Sequence, residues 1–170
     1  MIVYRIAKVS DAKQIAQIHY SVRHKHPLGI FSQMGFSFLK QYYRVILDDP
    51  YEIIICAEND KREIVGFNSG TLDANWQMNT LRRHKLLGLA ALGSIICNPR
   101  LIKPLVQRYK STAKKSNYQF VYKEGARGDF WAWKPGDKNS LDAVALSLKA
   151  NAVFAALGVK YKYIEVDTDN

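Results

Sequence analysis

The residues best suited to chemistry lie near the end of the chain, between Phe130 and Ala143. There the alternating aromatic residues Trp131 and Trp133 predict a short strand, and Pro135-Gly136 predicts a turn. The Ala-rich sequence that follows predicts a long helix leading into a further strand. A loop between a strand and a helix presents free backbone N–H groups and the positive end of the helix dipole. Phosphate groups bind at such places, so this stretch is a candidate anion site.

The charge of the chain is concentrated in one segment. The formal net charge is +10, and no Asp or Glu occurs between Leu81 and Lys115. That segment holds these basic residues: Arg82, Arg83, Lys85, Arg100, Lys103, Arg108, Lys110, Lys114 and Lys115. Three interpretations remain open, namely the solvated outer face of a helical insertion, the mouth of a site for an anionic ligand, or a helix pair at an anionic surface.

The hydrophobic patterns predict one mixed domain over residues 1–170. A run rich in Ile and Cys at Glu52–Ala57 and a second strand at Ile64–Thr71 predict a hairpin. Gly66 and Gly70 in its second strand indicate a bulge or the close approach of another backbone. Further strands are predicted at Ile2–Lys8, 118–122, 130–133 and the C-terminus, and helices from Ser10, over Phe31–Leu47 and on both sides of Asn98-Pro99. The region 76–115 is predicted to be a helical insertion before the fourth strand of the main sheet.

Cysteine and histidine usage excludes several classes of protein. The two cysteines, Cys56 and Cys97, lie in apolar sequence with neither metal-ligand nor disulfide-framework spacing. His24 and His26 lack a third ligand at useful spacing, so no metal site is predicted. The start of the chain does not resemble a signal peptide, and no apolar run is long enough to span a bilayer. A cytoplasmic protein is therefore expected.

The order of the predicted elements resembles that of the GNAT superfamily of acyl-CoA-dependent N-acyltransferases. The opening Tyr4-Arg5-Ile6-Ala7-Lys8-Val9-Ser10-Asp11-Ala12 is similar to that family's first strand and the start of its first helix. The hairpin is similar to its second and third strands. The resemblance implies an α/β (α+β) fold, with a mixed, mostly antiparallel sheet flanked by helices. It also implies acetyl-CoA as the co-substrate.

The family's phosphate loop, Q/R-x-x-G-x-G/A, falls on residues 138–143. Here Leu141 occupies the position of a glycine, and its side chain either turns back into the core or fills the space that a phosphate needs. Asp142 adds a negative charge, which favours the helix start and repels a pyrophosphate. The resemblance assigns the cofactor to Trp131, Trp133, Lys138, Asn139, Ser140, Leu141, Ala143 and Asn170.

The resemblance also implies a reaction, which is direct attack of a small-molecule amine on the thioester of acetyl-CoA. Its base is expected to be a carboxylate near the fourth strand, and the candidates are Glu124, Asp129 and Asp73. Leu141 favours a second interpretation, a catalytically impaired module for binding or assembly. A third is binding to an anionic surface, a nucleic acid or a membrane, through residues 81–115. Nucleic acid is disfavoured because aromatic residues are not interleaved with the cations.

The family fold continues beyond its fifth strand with a helix and two more strands, and these are expected to be missing after Asn170. A sheet that ends here exposes an edge containing Tyr161, Tyr163 and Ile164. Unpaired strand edges bind other strands, so a homodimer through this edge is predicted.

Overall fold

The computed structural model describes residues 1–25, 33–106, 124–136 and 140–164. Its strands are β1 (Val3–Ile6), β2 (Glu52–Glu58), β3 (Ile64–Thr71), β4 (Arg127–Trp133) and β5 (Tyr163–Ile164). Its helices are α1 (Ala12–Val22), α2 (Gly35–Leu47), α3 (Ala74–Arg83), α4 (Lys85–Cys97) and α5 (Ser140–Ala156). Short 3-10 turns occupy Val9–Asp11, Arg23–Lys25 and Pro99–Leu101, and residues 102–106 are helical.

The five strands form one sheet in the order β1-β2-β3-β4-β5. All neighbours are antiparallel except β4 and β5, which are parallel and joined through α5. Parallel neighbours need such a crossover because a tight turn can only reverse the chain. The predicted fold class, a mostly antiparallel sheet flanked by helices, is confirmed.

Each face of the sheet carries a separate apolar core. On one face, α1 and α2 cover β2 and β3, with Tyr43, Leu39 and Phe67 completely buried. On the other face, α5 places Leu146 and Ala150 against Ile55. The sheet therefore separates two apolar cores, and successive side chains along a strand point alternately to one core and to the other.

Several predicted boundaries are corrected. The helix predicted over Phe31–Leu47 is present as Gly35–Leu47, and Gly35, whose φ of 81° is left-handed, marks its start, whereas Phe31 itself lies outside the described residues. The strand predicted at 130–133 begins earlier, at Arg127, because Arg127 and Gly128 already pair with β3 and β5. The strand predicted at 118–122 lies outside the described residues, as does the chain end after Ile164.

The start of α1 also differs from the prediction. Ser10 is not its N-cap, because residues Val9–Asp11 form a 3-10 turn before the helix. Instead, the Asp11 carboxylate accepts the backbone N–H of Lys8 at 2.8 Å and pairs with the Arg5 guanidinium at 2.6 Å. Arg5 pairs with Glu58 as well, at 2.6 Å, so one guanidinium ties β1, β2 and the start of α1 together.

The predicted helical insertion consists of more than the two expected segments. Helices α3 and α4 are separated at His84, which has extended backbone angles, and the Pro99 turn follows α4. Among the described residues, no helix has the length and apolar character needed to cross a membrane.

Candidate active site

Strand β4 contains a bulge that shifts the alternation of its side chains, so that Arg127 and Asp129 lie on one face of the sheet and Trp131 and Trp133 on the other. Gly70 is paired with Gly128 and Asn68 with Trp131, so the single residue Ser69 lies opposite two residues of β4. The Ser69 hydroxyl bridges the gap. It accepts the N–H of Phe130 at 3.1 Å and donates to the carbonyl of the same residue at 3.2 Å. A bulge of this kind bends a strand and reorients its side chains.

The first half of β4 supplies a polar cluster on the α1–α2 face. Arg127 Nε donates to Asp129 Oδ1 at 3.0 Å, and Gln77 Nε2 of α3 donates to Asp129 Oδ2 at 2.6 Å. The Gln77 carbonyl in turn accepts from Arg127, which closes a ring of three side chains. Gln77 is 2% exposed, and the side chains of Arg127 and Asp129 are 12% and 8% exposed. The ring therefore lies just beneath the surface with its geometry fixed.

Glu52 is the unusual member of this cluster. It begins β2 opposite Thr71, which itself lies opposite Arg127, so the three residues form a row across the sheet. Both carboxylate oxygens are buried, and no described residue gives them a hydrogen bond of acceptable geometry. Burial and the nearby Asp129 charge raise the pKa of Glu52 to about 9, and the neighbouring Gln77 and Thr71 side chains offset only part of this effect. Glu52 is thus protonated at neutral pH.

Aromatic side chains form the inner wall of the cluster. Tyr42 and Tyr43 of α2 are buried, and desolvation together with the Asp129 and Glu52 charges raises the pKa of both hydroxyls. His19 of α1 shares a hydrogen bond of 2.7 Å between its Nδ1 and the Tyr43 hydroxyl, and its ring lies 4.5 Å from that of Phe130. The cluster therefore combines buried carboxyl groups with aromatic rings, a combination that suits a cationic group.

The three predicted catalytic carboxylates have different environments. Asp73 caps α3, accepting hydrogen bonds from the N–H groups of Asn75 and Trp76 at 2.9 and 3.0 Å. This capping role explains an acidic residue at the position. Glu124 is exposed and lines a shallow depression beside Tyr161 and Tyr163. Only Asp129 belongs to the buried cluster.

In the second half of β4 the two tryptophans lie on the α5 face. Trp133 packs against the core beneath α5, and its ring covers Gly66, where an added Cβ would lie 2.3 Å from the ring. Trp131 points to the same side and is 55% exposed, whereas Ala132 between them is buried on the opposite face. Trp131 therefore offers an open aromatic surface close to where the chain passes into α5.

The structure describes the predicted phosphate loop from Ser140 onward. Leu141 is 82% exposed, so its side chain does not turn back into the core. The Asp142 carboxylate accepts the Tyr4 hydroxyl at 3.0 Å, and this contact draws it toward β1. Ser140 is exposed and Ala143 is half-buried. Three residues predicted to bind the cofactor, Lys138, Asn139 and Asn170, lie outside the described residues.

No family model matches the sequence, and no curated protein is significantly similar to it. Solved structures do match. An aminoglycoside N-acetyltransferase in complex with CoA superimposes with a TM-score of 0.57 at 8% identity, over 100% of this chain and 80% of that one. An aminoglycoside 6'-N-acetyltransferase from Acinetobacter haemolyticus gives 0.55 at 10% identity, over 99% and 81%. The chain has the GNAT fold.

A second kind of acetyltransferase shares this GNAT fold. The ribosomal-protein-alanine N-acetyltransferase of Brucella melitensis matches with a TM-score of 0.52 at 12% identity, over 99% of this chain and 82% of that one. The GNAT fold is therefore common to neighbours whose names indicate different acceptors, and at these identities the likeness concerns the fold alone.

The sequence did not reveal most of the buried cluster in this GNAT fold. Glu52, Gln77 and Arg127 were not predicted, because each is an ordinary residue in its own segment. The one local signal was Glu52 itself, a carboxylate that precedes the apolar run Ile53-Ile54-Ile55. Among the described residues, no three His, Cys, Asp or Glu side chains are grouped to hold a metal ion.

Proposed function

We propose that the protein transfers an acetyl group from acetyl-CoA to the amine of a small molecule by direct attack. One observation carries this proposal: the bulge in β4 gives the strand a buried acidic cluster on one face and an open aromatic surface leading to a helix start on the other. An amine is a cation at neutral pH and suits the first face. A phosphorylated cofactor suits the second.

The described residues at the start of α5 are compatible with acetyl-CoA. The Leu141 side chain is exposed and not packed into the core, and the bond from Tyr4 holds the Asp142 charge. Lys138 and the backbone N–H groups at the start of the helix would hold the phosphates, with Trp131 along the cofactor arm. Acetyl-CoA supplies an activated acetyl thioester.

Glu52 is the residue that we propose as the base. It acts as a base in its ionised form, whose fraction grows as the pH rises toward the Glu52 pKa of about 9, so activity is expected to rise with pH over the same range. The ionised carboxylate takes one proton from the ammonium, the amine nitrogen bonds to the thioester carbon, the carbon–sulfur bond breaks, and the second proton that the nitrogen loses goes to the departing thiolate. Asp129, held by Arg127 and Gln77, supplies the fixed negative charge that attracts the substrate ammonium.

The proposal is tested in two stages. Acetyl-CoA is first titrated by calorimetry, and thiol release is then followed with a panel of primary amines that includes aminoglycosides and free amino acids. Turnover supports an acetyltransferase. Binding without turnover on any amine supports the alternative of an impaired binding module, and failure to bind millimolar CoA contradicts both.

Variants separate the candidate bases. Glu52→Gln is expected to lower kcat about 100-fold or more, which is the usual contribution of a general base, and to leave acetyl-CoA binding unchanged. Glu124→Gln is the matched control, since it makes the same change at an exposed carboxylate of the same region. Loss of activity in Glu124→Gln with full activity in Glu52→Gln contradicts this assignment.

Lys138 tests the cofactor half of the site. If it meets a phosphate through a charge-assisted bond, Lys138→Ala weakens CoA binding by roughly 1–2 kcal/mol. Lys61→Ala, an exposed lysine of the β2–β3 turn, is the control. Equal affinities in the two variants place Lys138 in solvent.

The protein is expected to form a homodimer through the edge of the sheet at its C-terminal strand, β5. It is expected to act in the reducing cytoplasm. Tyr161 is 77% exposed and Ile164 is 65% exposed, which supplies apolar surface for a second chain. Light scattering at micromolar concentration tests it, and a monomeric mass contradicts the dimer.

A further inference from the structure

Helix α4 has an exposed apolar side. Leu86, Leu89, Leu92 and Ile96 are between 52% and 73% exposed, and their spacing of three and four residues places them along one side of the helix. We call these four residues the apolar stripe. The opposite side of the helix packs on the core of α1 and α2 through Leu87, Ala91 and Ile95. Since a helix of 13 residues is about 20 Å long, the stripe is a continuous surface and not a scattered set of side chains.

Basic residues flank the apolar stripe at both ends. Arg82, Arg83 and Lys85 are exposed before it, and Arg100 and Lys103 are exposed after it. The sequence has no Asp or Glu between residues 74 and 123, so no acidic residue of this segment offsets their charge. Ile102 and Val106, 51% and 46% exposed, add further apolar surface beyond the Pro99 turn.

This combination distinguishes between the possible partners. A nucleic acid would pair with the cations but gains nothing from four aliphatic side chains. A second copy of the chain would cover the stripe, but a two-fold contact between equal helices brings the flanking cations of the two copies close together, where they repel one another. An anionic bilayer satisfies both features, because aliphatic side chains enter the acyl boundary while flanking Lys and Arg reach the lipid phosphates.

We propose that the apolar stripe and its flanking cations form a peripheral binding site for an anionic lipid membrane. Helix α4 lies flat in the interface, with the stripe inserted and Arg83, Lys85, Arg100 and Lys103 at headgroup level. This site is independent of the acetyl-transfer site, since it uses none of the residues of the buried cluster.

The two cysteines provide a direct probe. Cys56 is fully buried, whereas Cys97 is exposed at the end of α4. An environment-sensitive fluorophore attached to Cys97 of the whole chain is expected to shift to the blue with vesicles of phosphatidylglycerol and phosphatidylcholine, and not with phosphatidylcholine alone. Co-sedimentation of the unlabelled protein with the same vesicles checks that the label is not the cause.

Two pairs of variants test the two components. Leu89→Gln/Ile96→Gln is expected to weaken vesicle binding at least tenfold, and its control Val144→Gln/Leu148→Gln makes the same change at exposed positions of α5. Arg83→Gln/Lys85→Gln is expected to lose about fivefold per cation, with Lys61→Gln/Lys149→Gln as control. All these positions are exposed, and unchanged thermal unfolding confirms that the fold is kept.

The proposal is overturned by three results. One is equal binding to neutral and anionic vesicles, and another is unchanged binding of the stripe variant. The third is the absence of vesicle binding together with a dimer that Leu89→Gln/Ile96→Gln dissociates, which assigns the stripe to a second copy of the chain. Vesicle binding that falls steeply with salt and is lost in both the stripe variant and the cation variant supports the membrane proposal.

Discussion

The Tyr4 hydroxyl donates a hydrogen bond to Asp142 Oδ1, 3.0 Å away, and joins the first strand to the first turn of α5 across 138 residues of sequence. It also lies 3.2 Å from the Asp142 carbonyl oxygen. Burial raises the pKa of Tyr4, and the bond to Asp142 raises it further, so the hydroxyl remains a donor throughout the physiological range. A charge that would repel a phosphate at the helix start is thereby held against β1.

Removing this hydroxyl tests the link between the edge strand and the candidate phosphate loop. Tyr4→Phe is expected to lower the free energy of unfolding by about 1 kcal/mol, the usual net value of one hydrogen bond. It is also expected to weaken CoA binding, because the released Asp142 carboxylate then faces the loop. Chemical denaturation and calorimetry measure the two effects. Tyr161→Phe, at an exposed tyrosine, is the control, and an equal loss in both variants argues against a special role for Tyr4.

The protonated state of Glu52 predicts how stability depends on pH. The unfolded chain ionises this group above about pH 4.5, whereas the folded protein keeps it protonated up to about pH 9. Each unit rise in pH between these values therefore stabilises the unfolded state relative to the folded state by up to about 1.4 kcal/mol.

The wild-type protein is accordingly expected to lose about 2–3 kcal/mol of stability relative to Glu52→Gln between pH 5 and pH 7. Urea denaturation at several pH values measures the difference. Glu124→Gln, which alters an exposed carboxylate, is expected to run parallel to the wild type. A constant gap between wild type and Glu52→Gln across this range would show that Glu52 ionises normally in the folded protein.

Gln77 is expected to be the most sensitive polar residue of α3. Gln77→Leu keeps the volume but removes the 2.6 Å donor to Asp129 Oδ2 and the Gln77 acceptor of Arg127 Nη2, at a cost of about 1–3 kcal/mol. Asn79→Leu changes an exposed amide on the same helix and should cost far less. Thermal unfolding of the two variants makes the comparison, and similar transition temperatures would contradict the buried ring.

Glycine substitutions should have opposite signs in β3 and α4. At Gly70 an added Cβ would lie 2.4 Å from the Arg127 carbonyl oxygen, so Gly70→Ala must displace backbone and is expected to destabilise the protein by about 2 kcal/mol or more. At Gly88 nothing lies within 4 Å, so Gly88→Ala is expected to stabilise it by about 0.5–1 kcal/mol through helix propensity. Denaturant midpoints decide both, and a neutral Gly70→Ala would contradict the close approach of β3 and β4.

These glycines also show what a sequence can predict. Gly66 and Gly70 stand out within an apolar strand. The structure confirms the close approach of another backbone at Gly70, where the Arg127 carbonyl lies, whereas Gly66 makes room for the Trp133 side chain and the bulge lies in the facing strand. The hairpin was equally readable, because a run such as Ile53-Ile54-Ile55-Cys56 favours a buried strand and little else. Local signals were sufficient for these elements.

The buried cluster had no such local signal. Glu52 and Gln77 lie on different elements, and Arg127 follows 50 residues after Gln77. They meet only because the strand registers bring Glu52, Thr71 and Arg127 into one row, and because the Asp73 cap orients α3 above it. The environment of Asp129 depends on the bulge, which one extra residue produces and which no residue type marks. The sequence could therefore suggest Asp129 but not its partners.

The bulge is also a local feature of β4. Ser69 faces two residues, Asp129 and Phe130. Because of this two-to-one pairing, the alternation of side chains between the two faces of the sheet is shifted by one residue after the bulge. Deleting one of these two residues would leave Ser69 opposite a single residue and keep Trp131 and Trp133 on the α5 face, because their pairing with Asn68 and Gly66 is unchanged. A single-codon deletion at the bulge would therefore remove one of the two side chains that now lie side by side and leave the pairing on either side of it in register. The extra residue in β4 is thus a local insertion that the rest of the sheet does not depend on.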